Sequence, residues 1–127
     1  MLGLVGVYFI FLLLLSPIML IYHVTVKVNN AVQEDWVRWM VETHIPDVMC
    51  TNLFYEYRLS RLLGEDEDDE DTTYSVEYLC RSFEAYQMYQ QMYAPALQQE
   101  HAVRYAGKFV AFRTLSHVVS HNSPYSS

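Results

Sequence analysis

The stretch His44-Ile45-Pro46-Asp47 has residue types and spacing suited to proton transfer. An imidazole titrates near physiological pH, and a carboxylate three residues on can orient or charge it. His44 and Asp47 are therefore the candidate catalytic pair, a general base and its partner. Pro46 biases the residue before it away from helix, so the helix is expected to stop near His44 and to present the ring outside it. The structural alternative is that His44 caps the last carbonyls of its helix and meets the helix dipole, with Asp47 in the turn.

A second constellation is aromatic. Trp36, Trp39, Tyr55, Tyr57, Tyr74, Tyr78, Tyr86 and Tyr89 can all be directed toward one interior. A flat, apolar ligand held away from water needs aromatic walls with phenol or indole donors, and Trp36, Trp39, Tyr55 and Tyr74 are the candidate ligand-binding set near His44. The same residues would equally serve as an aromatic core in which each hydroxyl finds a partner. His23, His101 and His117 lie on different elements without a carboxylate at a ligand interval, so no metal is expected. A glycine-rich phosphate loop, a G-x-S-x-G elbow and a Cys-His pair in catalytic context are all missing from the sequence, and no cofactor is expected.

Composition bounds the remaining options. A chain of 127 residues builds one core, and 52% apolar against 18% charged residues is ample to fill it. A net charge of −7 with only 8 Lys and Arg cannot assemble a basic face, so nucleic acid is not an expected partner. Cys50 and Cys80 fit no metal spacing and are too few for a disulfide scaffold; reduced thiols favour the cytoplasm.

The elements that must position these residues can be read from periodicity. Leu20 to Val28 alternates, with Tyr22, Val24, Val26 and Val28 on one face and His23, Thr25 and Lys27 on the other. Asn30, with Gln33 three residues later, resembles a capping pair at the start of a helix whose stripe is Val32, Trp36, Trp39 and Met40. Leu53 to Leu63 alternates again, with Leu53, Tyr55, Tyr57, Leu59 and Leu63 expected inward. The acidic run Glu65 to Asp71 reads as a solvated connection; it lacks the glycine and terminal glutamate of a calcium loop. Thr72 to Cys80 forms a third strand with Tyr74, Val76 and Tyr78 inward. Ser82 is the expected N-cap of a second helix, interrupted at Pro95, resumed over Ala96 to Tyr105 and ended by Gly107. Lys108 to Val119 is the fourth strand, and Ser120 to Ser127 a flexible tail.

The amino terminus is a separate question, because Leu2 to Tyr22 carries no charge. No basic residue precedes the run and no cleavage pattern follows it, so a cleaved signal is not expected. With a strand starting at Leu20, residues 1–18 form an apolar leader with two readings: an upstream extension or loosely held tail, Met19 standing where an initiator would, or a segment anchoring the domain to a membrane. The division is thus leader 1–18, domain 19–119 and tail 120–127.

Strand, helix, strand, strand, helix, strand is the order of an α+β, ferredoxin-like domain: a four-stranded antiparallel sheet with its helices on one face. The other face would carry His23, Thr25, Lys27, Glu56, Arg58, Ser60, Ser75 and Glu77, suited to cross-strand pairs or a wet interface.

The segments MLIYHVTVKV from Met19, EDWVRWMVETHIPDVM from Glu34, YSVEYLCRSFEAY from Tyr74, YAPALQQEH from Tyr93 and GKFVAFRTL from Gly107 together resemble an uncharacterised bacterial family, the domain of unknown function DUF4286. Its members typically begin at the position of Met19, without the apolar leader. That family is similar in turn to dimeric α+β barrel proteins, in which two ferredoxin-like chains put their open sheet faces together. The group includes cofactor-free monooxygenases, isomerases, haem-handling enzymes and proteins without known activity, so the resemblance implies a homodimer but leaves the question of an enzyme open. Where the family often has His-Ala-Pro, this chain has Tyr93-Ala94-Pro95, and no proton-transfer role carries over to that position.

Two functions are consistent with these residues. One is a homodimeric ligand-binding or enzyme-like domain acting on an apolar or aromatic small molecule near His44. The other is a non-enzymatic dimerisation or interaction module, cytoplasmic or membrane-anchored through the leader. A ligand-sized pocket between helices and sheet favours the first; a solid core favours the second.

Overall fold

The computed structural model describes residues 18–64 and 70–122. The alternation from Leu20 forms strand β1 (Leu20–Asn29), with Leu20, Tyr22, Val26 and Val28 buried on one face. Strand β1 lies beside β3 (Asp71–Cys80), which buries Thr72, Tyr74, Val76 and Tyr78 on the same face. The sheet order is β2-β3-β1-β4, with β2 (Glu56–Arg61) and β4 (Phe109–His117) at the edges and every neighbouring pair antiparallel. The central pair supplies the apolar floor because both strands are hydrogen-bonded on both sides and covered by helices. This is the ferredoxin-like α+β fold.

The first crossover is helix α1 (Gln33–Trp39), a π-turn (Met40–His44) and helix α2 (Ile45–Met49). Here the chain departs from expectation, since Pro46 does not end the helix: His44 is itself helical at φ −69° and ψ −52°. A proline inside a helix lacks its N–H and presses its ring on the carbonyl four residues back, here Glu42. Widening to i→i+5 bonds at that turn absorbs both conflicts, and the helix runs on to Cys50, whose N–H reaches the Pro46 carbonyl at 2.9 Å. His44 is therefore not a cap at a helix end.

Two smaller expectations are also corrected. Asn30 and Gln33 do not form a capping pair, because Thr72 donates to Asn30 Oδ1 and Gln33 donates to the Tyr74 hydroxyl. The second strand pairs only over Glu56–Arg61; Phe54 enters the core at 4% exposure, while Tyr55, Tyr57 and Leu63 are 38%, 43% and 80% exposed. Phe54 stands before the strand, after a left-handed residue at Asn52 (φ 62°), so strand alternation does not govern it.

The second crossover is α3 (Phe83–Met92) and α4 (Ala94–Arg104), with Pro95 in the first turn of α4. Ser82 caps α3, its Oγ accepting from Ala85 N–H at 3.0 Å. Among the described residues no helix is long and apolar enough to cross a membrane. Residues 1–17 of the leader, 65–69 of the acidic run and 123–127 of the tail lie outside the described residues; Ile18 packs on the core.

Candidate functional site

Helix continuity decides where His44 points. The π-turn carries its half-buried ring onto Trp39, 4.9 Å between centroids, and toward His101 of α4, 5.8 Å away. His101 is buried at 7% exposure, edge-on to Phe109 at 4.3 Å. Trp36 donates its indole N–H to His101 Nε2 at 2.8 Å. An indole can only donate, so Nε2 is the acceptor and the proton of neutral His101 sits on Nδ1.

Both rings are held neutral. Burial lowers His44 to about 4, with Arg113 pushing the same way and Asp47 opposing. Burial likewise lowers His101 to about 4, helped by His44 and Arg113. His44 Nδ1 is buried without a hydrogen-bond partner. Asp47 therefore acts on this nitrogen through space, not by a hydrogen bond.

His44 and His101 line one cavity together with Gln98, Arg113 and Tyr78, the other walls being apolar. Register explains the guanidinium: Arg113 lies opposite Val24, on the strand face shared with Ala111 and Leu115. It is the exposed member of the lining, at the sheet's edge. Burial raises the Tyr78 phenol far above its ordinary value, so it stays protonated. The cavity measures about 30 Å³, room for a water or two, where small-molecule pockets run to roughly 300 Å³ or more.

The other expected site residues lie elsewhere. Trp36 and Tyr74 pack at 5.0 Å within the core, and Trp39 lies between His44 and Tyr105. Tyr55 is remote, under the guanidinium of Arg81 at 4.0 Å. None of the four lines the cavity: Trp36, Trp39 and Tyr74 are part of the core, and Tyr55 is exposed. Asp47 borders a separate surface hollow with Cys50, Thr51, Met92 and Tyr93. Sequence pattern alone does not bring His101, Gln98 and Arg113 to the site. Arg113 did leave a signal, as the charged member of the inward series Phe109, Ala111, Arg113, Leu115. Among the described residues no group of three His, Cys, Asp or Glu could hold a metal ion.

The opposite sheet face is uncovered. It carries the Arg58–Glu77 pair at 3.8 Å and a His23 to Ser116 hydrogen bond at 3.0 Å. Val110 and Phe112 of β4 stand on this face, 65% and 62% exposed.

The family model described as "Domain of unknown function (DUF4286)" matches residues 19–119. Among curated proteins none matches the chain. A dimeric ferredoxin-like protein from an uncultured marine organism is similar in structure at TM-score 0.65 and 8% identity, over 84% of this chain and 100% of that one. SnoaB, a cofactor-independent oxygenase from Streptomyces nogalater, is similar at TM-score 0.58 and 13% identity, over 80% and 95%. An ethyl tert-butyl ether d (ethd) family protein from Bacillus halodurans gives 0.58 and 12%, over 76% and 96%. At these identities the likeness is one of fold.

Proposed function

We propose that this chain, which belongs to the DUF4286 family, a domain of unknown function, works as a homodimer that binds a small apolar or aromatic molecule at the His44 cavity. The observation that carries this reading is the convergence of His44, His101 and Arg113 on one cavity while His44 Nδ1 is left unpartnered. A buried polar atom without a partner costs roughly 1 to 3 kcal/mol, and a ligand that bonds to it recovers that. His44 is neutral at pH 7 and its nitrogen is free to accept a proton, as a weaker base than an ordinary imidazole, and His101, fixed through Trp36, supports the ring beside it. Trp36, Trp39 and Tyr74 act as the rigid wall behind this centre. Admission of a ligand larger than water requires Arg113 and Gln98 to swing aside, and both are long side chains that can do so.

Homodimerisation rests on the bare sheet face with Val110 and Phe112, and on the likeness to a protein described as dimeric. The test of the cavity is histidine-resolved NMR against a panel of neutral aromatic carbonyls and phenols. Saturable shifts of the His44 and His101 ring signals are expected. Binding that leaves both rings unmoved, or none across the panel, overturns it.

A second reading, a non-enzymatic interaction module, is favoured by the small cavity. On that reading the rings are core and the sheet face is the working surface.

A further inference from the structure

The following rests on the cavity reading and names the chemistry of its ligand. We infer that the group received between His44 and Arg113 is an anion, the carboxylate or enolate oxygen of a small organic acid.

The lining holds one permanent charge, the Arg113 guanidinium, and no carboxylate. From the π-turn comes His44, from α4 Gln98 and His101, from β3 Tyr78 and from β4 Arg113; the remaining lining side chains are apolar. Asp47, the acid that acts on His44, borders the separate surface hollow and does not line the cavity. The site is thus rich in donors and positive, with nothing of opposite sign inside it. A guanidinium presents a planar fork that matches two oxygens of a carboxylate.

The sheet's own pattern makes Arg113 the exception. Positions 109, 111 and 115 on the same strand face are Phe, Ala and Leu, and the facing residue on β1 is Val24. Arg113 is exposed at this edge position, so its guanidinium stays hydrated while it borders the cavity.

Size agrees as well. A cavity of about 30 Å³ holds two oxygens, roughly the space of two waters, while the rest of a larger acid would lie toward Arg113 and solvent. Bound there, the anion would face His44 Nδ1, which has no other partner, and its charge would favour protonation of both rings.

The experiment uses the full chain with ¹³C-labelled histidine, titrated with pH in formate, in benzoate and in benzamide, the neutral isostere of benzoate. Formate and benzoate are expected to raise the His44 titration by about one pH unit or more; benzamide, a neutral aromatic carbonyl, is expected to shift the ring signals on binding but to leave the titration in place. Arg113→Gln is expected to abolish the anion response at unchanged melting temperature, and Arg113→Lys to retain part of it. Equal responses to benzoate and benzamide, or a full response in Arg113→Gln, overturn the anion inference but leave the cavity reading intact. Anions that move neither ring overturn it too; the cavity reading falls with it only if the neutral panel also leaves both rings unmoved.

Discussion

Trp36 and His101, 65 positions apart in sequence, are joined by a buried hydrogen bond of 2.8 Å from the indole N–H to Nε2. It ties α1 to α4 across the top of the sheet and selects one tautomer of the ring beside His44. Nitrogen-15 spectra at neutral pH should show His101 protonated on Nδ1. His101→Leu leaves the indole N–H without an acceptor and should cost about 1 to 3 kcal/mol. His101→Gln supplies an acceptor and should cost about 1 kcal/mol less. Equal melting temperatures for the two variants would show that packing alone matters there.

The two imidazoles make stability depend on pH. Both are lowered by burial from an ordinary value of 6.5 to about 4, so the unfolded chain binds protons that the folded chain refuses. Their contribution is full above pH 6.5 and is lost as pH falls toward 4. Each ring should contribute on the order of 2 kcal/mol once partial solvent screening is allowed for. Urea denaturation at intervals between pH 7 and pH 4 should show this slope, and His44→Asn should flatten it. A profile that is flat in this window contradicts the buried, neutral pair.

The fold could be read from strand alternation because β1 and β3 bury one face and show the other, a pattern that admits one register. The path through Pro46 could not. A π-turn depends on the geometry of one inserted residue, and local preference at a proline favours a stop. The aromatic set leaves two readings open in the sequence for a related reason: tryptophan and tyrosine signal burial, but only packing decides whether they enclose a space or fill it. Trp36 and Tyr74 fill it. Arg113 is legible in principle, as the one charged residue in the otherwise apolar series Phe109, Ala111, Arg113, Leu115.

The uncovered sheet face should mediate association. Phe112 and Val110 stand on it beside polar pairs, an apolar patch with a mixed rim. Light scattering of the full chain should give a dimer mass, and Phe112→Glu should weaken association by at least tenfold, about 1.4 kcal/mol. A variant that remains fully dimeric at the lowest measurable concentration would place the interface elsewhere.

His44 and Asp47 were paired in sequence as base and orienting acid, and the structure gives them unequal standing. His44 lines the cavity, whereas Asp47 borders another hollow and makes no hydrogen bond to Nδ1. If His44 is the base, His44→Asn should reduce turnover of a cavity-binding acid by roughly 100-fold or more. Asp47→Asn should behave differently. Its carboxylate raises His44, so removing it lowers the pKa of the ring further, and the neutral form persists to lower pH. The acid limb of the rate profile should therefore move to lower pH, with kcat changed by less than about threefold, since no contact in the proton path is lost. Rate profiles of both variants, read beside their melting temperatures, separate the cases. An Asp47→Asn defect as deep as that of His44→Asn would mean that the carboxylate reaches the imidazole in the working complex. Unchanged turnover in His44→Asn would end the role of His44 as a base and leave the ring as part of the core.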